Sequence, residues 1–203
     1  MIKSKNIGLR AIEESDIDIL TELANDSFVS TMVVGWGTPL SKLQQREWVN
    51  NQHKSNTTLR LMVIDLSNNE AIGVTGLWDI DWHNQTALTA TKLLPSKVKK
   101  GFGTESIMLT MAWGFYNVGL RRLYGAILDF NGASMAAYVK KCGWRIEGCA
   151  KEAVFRKGRW CDLYHVAILK SEFDLLPNIE EFIDGVYSGN TNDLLDIKLF
   201  SKE

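Results

Sequence analysis

The stretch TKLLPSKVKKGFGTES, residues 91–106, carries a strand-like run into a helix start through a Gly-x-Gly turn. It constrains the fold more than any other segment, because it fixes the order strand, tight turn, helix in mid-chain. Upstream, TALTATKLL (86–94) reads as a strand. Downstream, residues 104–118 place Ile107, Met108, Met111, Phe115 and Val118 on one helical face, and Gly119 supplies a C-terminal stop. Between them, Lys92, Lys97, Lys99 and Lys100 fall within nine residues that contain no acid. Glycine lets backbone approach a ligand closely. A helix start presents free N–H groups and the positive end of its dipole. Together they describe an anion site, for which phosphate is the usual guest, with Lys97, Lys99 and Lys100 adding charge. A plain tight turn flanked by solvated lysines has the same residues.

Two phosphate-binding patterns do not fit. A P-loop ends in Gly-Lys-Ser/Thr, whereas Gly103 is followed by Thr104 and Glu105. The dinucleotide fingerprint belongs to the first unit of a parallel fold and wants an acid about 20 positions on. Here the turn lies mid-chain, and that region reads RRLYGAI.

The rest of the chain supplies the frame. NIGLRAI is a short strand. SDIDILTELANDSF spaces Ile17, Leu20, Leu23 and Ala24 as one helix with Ser15 as a cap, and TPLSKLQQREWVNNQHK forms a second helix capped by Ser41. LRLMVIDL and AIGVTGLWDI form a hairpin, and WHNQ turns into TALTATKLL. RRLYGAIL is a strand, ASMAAYVKK a helix, and two further strands flank the RKGR turn. This order predicts an α/β (α+β) single domain on one sheet over residues 1–173, with residues 174–203 a C-terminal extension packed on the domain or on a partner subunit. In that extension, Ile179, Phe182, Ile183 and Val186 follow a cap-like Asn178 at helical spacing.

The net charge of −1 over 203 residues argues against a nucleic-acid binder. The N-terminus lacks the apolar core of a signal peptide, and no apolar run reaches membrane-spanning length, so a cytoplasmic protein is expected. Cys142, Cys149 and Cys161 lack metal-ligand spacing and read as reduced thiols, so no metal is expected.

One ordered series carries a family resemblance: KKGFGTES, then VGLRRLYGAILDFN ending at Asn131, ASMAAY ending at Tyr138, CGWRIEG and KGRWCDLYHVAIL. It resembles the GNAT superfamily of acetyl-CoA-dependent N-acetyltransferases over roughly residues 6–173. The branch it looks most like holds ribosomal-protein alanine, spermidine and amino-sugar acetyltransferases. The resemblance implies a sheet splayed between TALTATKLL and RRLYGAIL, with the pantetheine arm of acetyl-CoA lying against Leu93 and Leu94. It implies pyrophosphate on the backbone of Val98, Lys99, Lys100, Gly101, Phe102, Gly103 and Thr104. Asn131 would contact pantetheine or order a water, and Tyr138 would sit close to the thioester sulfur. The implied acceptor is a small-molecule or peptide amine, and the implied assembly a monomer or homodimer. A catalytically silent coenzyme A-binding module is the alternative.

Three departures accompany the resemblance. Val98 stands where the family usually has Arg or Gln. The segment from Tyr138 to Gly143 is one residue longer than the family usually shows; an extra residue before the tyrosine would put Val139 in its place, whereas the spacing from Asn131 favours Tyr138. TALTATKLL carries no carboxylate. Direct attack on the thioester needs a free amine and a proton for the departing thiolate, which a tyrosine hydroxyl supplies. For the base, Asp81 is the candidate, clustered with Asp79 and His83 in WDIDWHN, where Trp78 and Trp82 could floor an amine pocket. Asp129 reads as a loop brace, and Asp162 and His165 as structural strand residues.

Overall fold

A computed structural model gives the fold and describes residues 1–35, 38–52, 54–99 and 101–187. The strands are β1 (Ile2–Lys3), β2 (Ile7–Ala11), β3 (Leu59–Asp65), β4 (Glu70–Asp81), β5 (Thr86–Leu93), β6 (Arg122–Leu128), β7 (Arg145–Arg156) and β8 (Arg159–Leu169). They form one sheet of eight strands in the order β1-β2-β3-β4-β5-β6-β8-β7. Every neighbouring pair is antiparallel except β5–β6, which is parallel. The chain is a single domain of mixed α/β architecture, as its sequence order predicts.

Helices cover both faces. On one lie α1 (Ile17–Asn25), α2 (Ser27–Met32) and α3 (Lys42–Gln52); Leu20, Leu23 and Val29 bury against Met62, Ile64 and Val74. On the other, α4 (Phe102–Ala112) packs Ile107, Met108 and Met111 among Leu77, Leu123 and Trp144. α5 (Gly132–Met135), α6 (Lys170–Phe173) and α7 (Glu180–Tyr187) complete that side. Burial of such side chains contributes roughly 1.5–3 kcal/mol each, so these two faces hold the sheet in place.

The single helix expected over residues 15–28 is two. Asp26 is extended (φ −62°, ψ 124°) and its carboxylate accepts from the Val29 amide, so it ends α1 and caps α2. Ser15 is not the cap: it sits in a short 3₁₀ turn whose Asp16 carboxylate takes the Glu13 amide and pairs with Arg10. Ser41 does start α3, accepting from the Gln44 amide at 3.2 Å while Gln44 Oε1 accepts from the Ser41 amide at 2.9 Å.

Both α4 and α5 continue into wider π turns, Trp113–Asn117 and Ala136–Lys141. There an N–H reaches five residues back, as from Cys142 to the Ala137 carbonyl at 3.0 Å. Such a turn holds one residue more than an α turn. The Ala136–Lys141 turn spans the longer segment between Tyr138 and Gly143. Of the C-terminal segment, α7 lays Phe182, Ile183 and Val186 against the α4 face, and residues 188–203 lie outside the described residues. Among the described residues, no helix is long and apolar enough to cross a membrane.

Candidate active site

The parallel pair is where the sheet opens. β5 and β6 pair only from Thr86 to Leu88 against Arg122 to Tyr124. Beyond that the strands part, and the far half of β5 remains bonded only to β4. Into this gap α5 directs Tyr138. Its hydroxyl accepts a hydrogen bond from the Thr91 amide at 3.0 Å. The ring is 8% exposed and meets Trp144 edge-on, with centroids 5.0 Å apart. Burial pushes the phenol up to about 12, against the opposing pull of the Thr91 hydrogen bonds. The hydroxyl is therefore protonated near neutral pH.

β5 leads through a 3₁₀ turn at Pro95–Lys97 to the start of α4. Gly101 caps that helix with φ +98°, a conformation side chains rarely adopt. A Cβ placed on Gly101 or Gly103 would meet no atom within 4 Å, so the space in front of the turn is open. Gly103 and Thr104 lie in the first helical turn, whose N–H groups have no intrahelical acceptor. Val98 is exposed, Phe102 is buried beneath the turn, and Leu93 and Leu94 enter it, Leu94 donating to the Ile72 carbonyl at 3.0 Å.

Lys97 and Lys99 are not free charges around this turn. Lys99 Nζ lies 2.6 Å from the buried Asp65 carboxylate and 2.8 Å from Ser67 Oγ. Lys97 pairs with Glu70 at 3.1 Å. Both tie the turn to the β3–β4 hairpin. Lys100 lies outside the described residues. Glu105, which the sequence reading passed over, anchors the other side: its carboxylate accepts from Ser4 Oγ, the Asn6 amide and side chain, and the Ile7 amide. An acid in the first turn after a glycine cap was the available signal.

Asn131 caps α5: its Oδ1 accepts from the Ser134 amide and its Nδ2 donates to the Met32 carbonyl, each at 3.1 Å. Its side chain thus ties the helix that carries Tyr138 to the end of α2. Asp81 is not brought to Tyr138. It pairs in register with Thr86, five residues along β5 from Thr91. At 3.3 Å per residue, that is about 17 Å away. Its oxygens accept from the Asn84 amide and side chain, and these bonds hold its carboxyl below the usual carboxylate range. It is a turn residue there. Trp82 is exposed and donates to the Asn56 carbonyl, His83 and His165 are exposed, and Asp129 pairs with Arg159. Asp162 accepts from Lys151 and the Glu152 amide. Cys142 and Cys161 are buried, Cys149 is exposed, and none is in a disulfide.

On the sheet face away from Tyr138, a cavity of about 250 Å³ lies between α1, α3 and strands β3–β5. Ala90 and Lys92, the neighbours of Thr91, line it, as do Trp48, Arg60 and Trp78. The gap holding Tyr138 and the cavity therefore meet across a single strand. Among the described residues, no group of three His, Cys, Asp or Glu side chains could hold a metal.

Residues 6–145 match the family model described as an acetyltransferase (GNAT) domain. An uncharacterized prophage-derived N-acetyltransferase of Bacillus subtilis is 26% identical over 171 residues, spanning 84% of this chain and 94% of its own. The spermidine N(1)-acetyltransferase of Vibrio cholerae is 24% identical over 170 residues, 84% of this chain and 96% of its own. The structure of Vibrio cholerae spermidine N-acetyltransferase in complex with CoA and spermine superposes with a TM-score of 0.77 at 25% identity, covering 83% of this chain and 98% of that one.

Proposed function

The chain belongs to the acetyltransferase (GNAT) domain family and is an acyltransferase, and we propose that it moves the acetyl group of acetyl-CoA to a primary amine by direct attack. The observation that carries the reading is Tyr138 held against the Thr91 amide inside the gap between β5 and β6. A thioester lying in that gap takes the place of the missing strand pairing. Amides at the start of α4 hold the pyrophosphate, with Gly101 and Gly103 leaving it room. The free amine attacks after losing its proton to water. Backbone N–H groups of the unpaired strand edge face the carbonyl oxygen where negative charge develops. Tyr138 gives its proton to the departing thiolate, and the proton that the nitrogen sheds on becoming an amide returns through water to the phenolate. No covalent enzyme intermediate is needed, so the thiols stay out of the reaction. Asn131 acts by fixing the helix that carries Tyr138.

A thiol-release assay with acetyl-CoA and a panel of polyamines, amino sugars, amino acids and N-terminal peptides tests this reading. Polyamines belong in the panel because a similar enzyme's structure holds CoA and spermine. Turnover of any amine is the expected result. Coenzyme A binding without turnover of any of them would favour a silent binding module instead.

A further inference from the structure

The cavity behind β5 is lined by two cations, Arg60 and Lys92, and by no carboxylate among the described residues. The Arg60 guanidinium lies 4.9 Å from the centroid of the Trp48 ring and 5.1 Å from that of Trp78. Lys92 Nζ lies 5.2 Å from the Trp78 centroid. Aromatic faces attract cations through their face-on quadrupole. Ring contacts leave the N–H groups of a guanidinium still in need of an acceptor. Arg60 Nε is buried and has no hydrogen-bond partner. Lys92 is displaced downward to about 8, first by burial and then by the nearby Arg60 charge. Asp79, the acid that acts on Arg60, is exposed on the bulged end of β4 and does not line the cavity.

We infer that this cavity receives an anionic group of the acceptor, a carboxylate or phosphate held in the plane of the Arg60 edge with Lys92 beside it, so that the substrate is an amine that also bears a negative charge. The inference rests on the acetyl-transfer reading for the word acceptor; the anion site itself stands on the cavity. A planar fork suits carboxylate and phosphate oxygens, and a desolvated setting strengthens the pairing. A polyamine would instead bring further positive charge to two cations already crowded together. The second cavity, about 450 Å³ between α1–α2 and the β7–β8 turn, touches the first at Ala24, and its charged lining residues are Arg156 and Lys157.

Matched pairs test the inference. Ornithine is putrescine with a carboxylate, and phosphoethanolamine is ethanolamine with a phosphate. The expected result is a kcat/KM at least tenfold higher for the anionic member of one pair, which identifies the group. That preference should fall to within about threefold in Arg60→Gln. Lys92→Met, a smaller change, should weaken it in the same direction if Arg60→Gln fails to fold. Equal turnover, or preference for the uncharged-tail or polycationic member in both pairs, would overturn the inference and leave acetyl transfer standing. If no amine turns over, the acetyl-transfer reading fails on its own. Calorimetric titration of the protein with the same four compounds then decides the anion site. Binding of an anionic member that is lost in Arg60→Gln supports it, and no difference within either pair rejects it.

Discussion

The Tyr138 hydroxyl oxygen sits 3.0 Å from the Thr91 amide nitrogen, an α5 side chain standing where a β6 carbonyl would have paired had the strands stayed together. The phenol fills a hydrogen-bond vacancy as an acceptor, a bond that does not use its own proton. Tyr138→Phe removes both the acceptor and the proton while preserving the ring against Trp144. Positioned acid catalysis contributes roughly 10²–10⁴-fold, so turnover should drop at least tenfold while acetyl-CoA affinity stays within a few-fold. With the phenol near 12, any alkaline limb below pH about 10 belongs to another group and should survive the substitution. Near-normal turnover of the variant would mean that water protonates the thiolate.

Gly103→Val tests the phosphate turn. Its Cβ has empty space around it, so the free protein should keep its fold, with a melting temperature close to that of the wild type. The same space is where phosphate oxygens would lie. The dissociation constant for acetyl-CoA should rise at least tenfold, about 1.4 kcal/mol. Unchanged affinity by calorimetry would remove the turn from the coenzyme site.

Lys99→Met should destabilise the protein, because it strands the buried Asp65 carboxylate. Lys99 holds Asp65 below the usual carboxylate range, with Ser67 assisting. A depressed carboxylate stabilises the fold above its unfolded pKa and stops doing so as pH falls through its folded one. The loss should be on the order of 1–3 kcal/mol near neutrality and should shrink below pH about 4, read from urea melts at several pH values. A constant difference across that range would dissociate the effect from Asp65.

Lys92→Met has the opposite sign. Burial lowers Lys92 from 10.5 to about 8. Below pH 8 it is charged in both states, and folding carries the whole desolvation cost. Between pH 8 and 10.5 the folded state sheds its proton first and the cost declines. The variant should therefore be more stable than the wild type at pH 7, by on the order of 2 kcal/mol allowing for partial exposure. The gap should close toward pH 10.5. A gap that widens with pH would contradict the lowered titration of Lys92.

Much of the frame was legible because it rests on local rules. The alternation of LRLMVIDL and AIGVTGLWDI, the Ser41 cap and the Gly101 turn each announce themselves within a few residues, and they fall where expected. The break between α1 and α2 was also written locally, in Asp26, but the apolar spacing of Ile17 to Ala24 drew the eye across it. The lysine partners were not legible: Glu70 and Asp65 lie 27 and 34 residues from the lysines they hold. Arg60 was hidden for a related reason. A charged residue inside an apolar strand looks like an outward-facing position until α3 places Trp48 over it. Asp81 lies away from Tyr138 because strand register, which no local pattern fixes, put it at the closed end of the β5–β6 pair.

Glu105 gives the N-terminal segment a second use. Its carboxylate holds the amides of Asn6 and Ile7 from a position 98 to 99 residues away in sequence, one turn inside the helix that starts at the phosphate turn. Opening either end of that clasp exposes the other to solvent. Deuterium uptake at Asn6 and Ile7 should therefore serve as a remote gauge of the turn: a ligand that fills it should slow exchange at both amides.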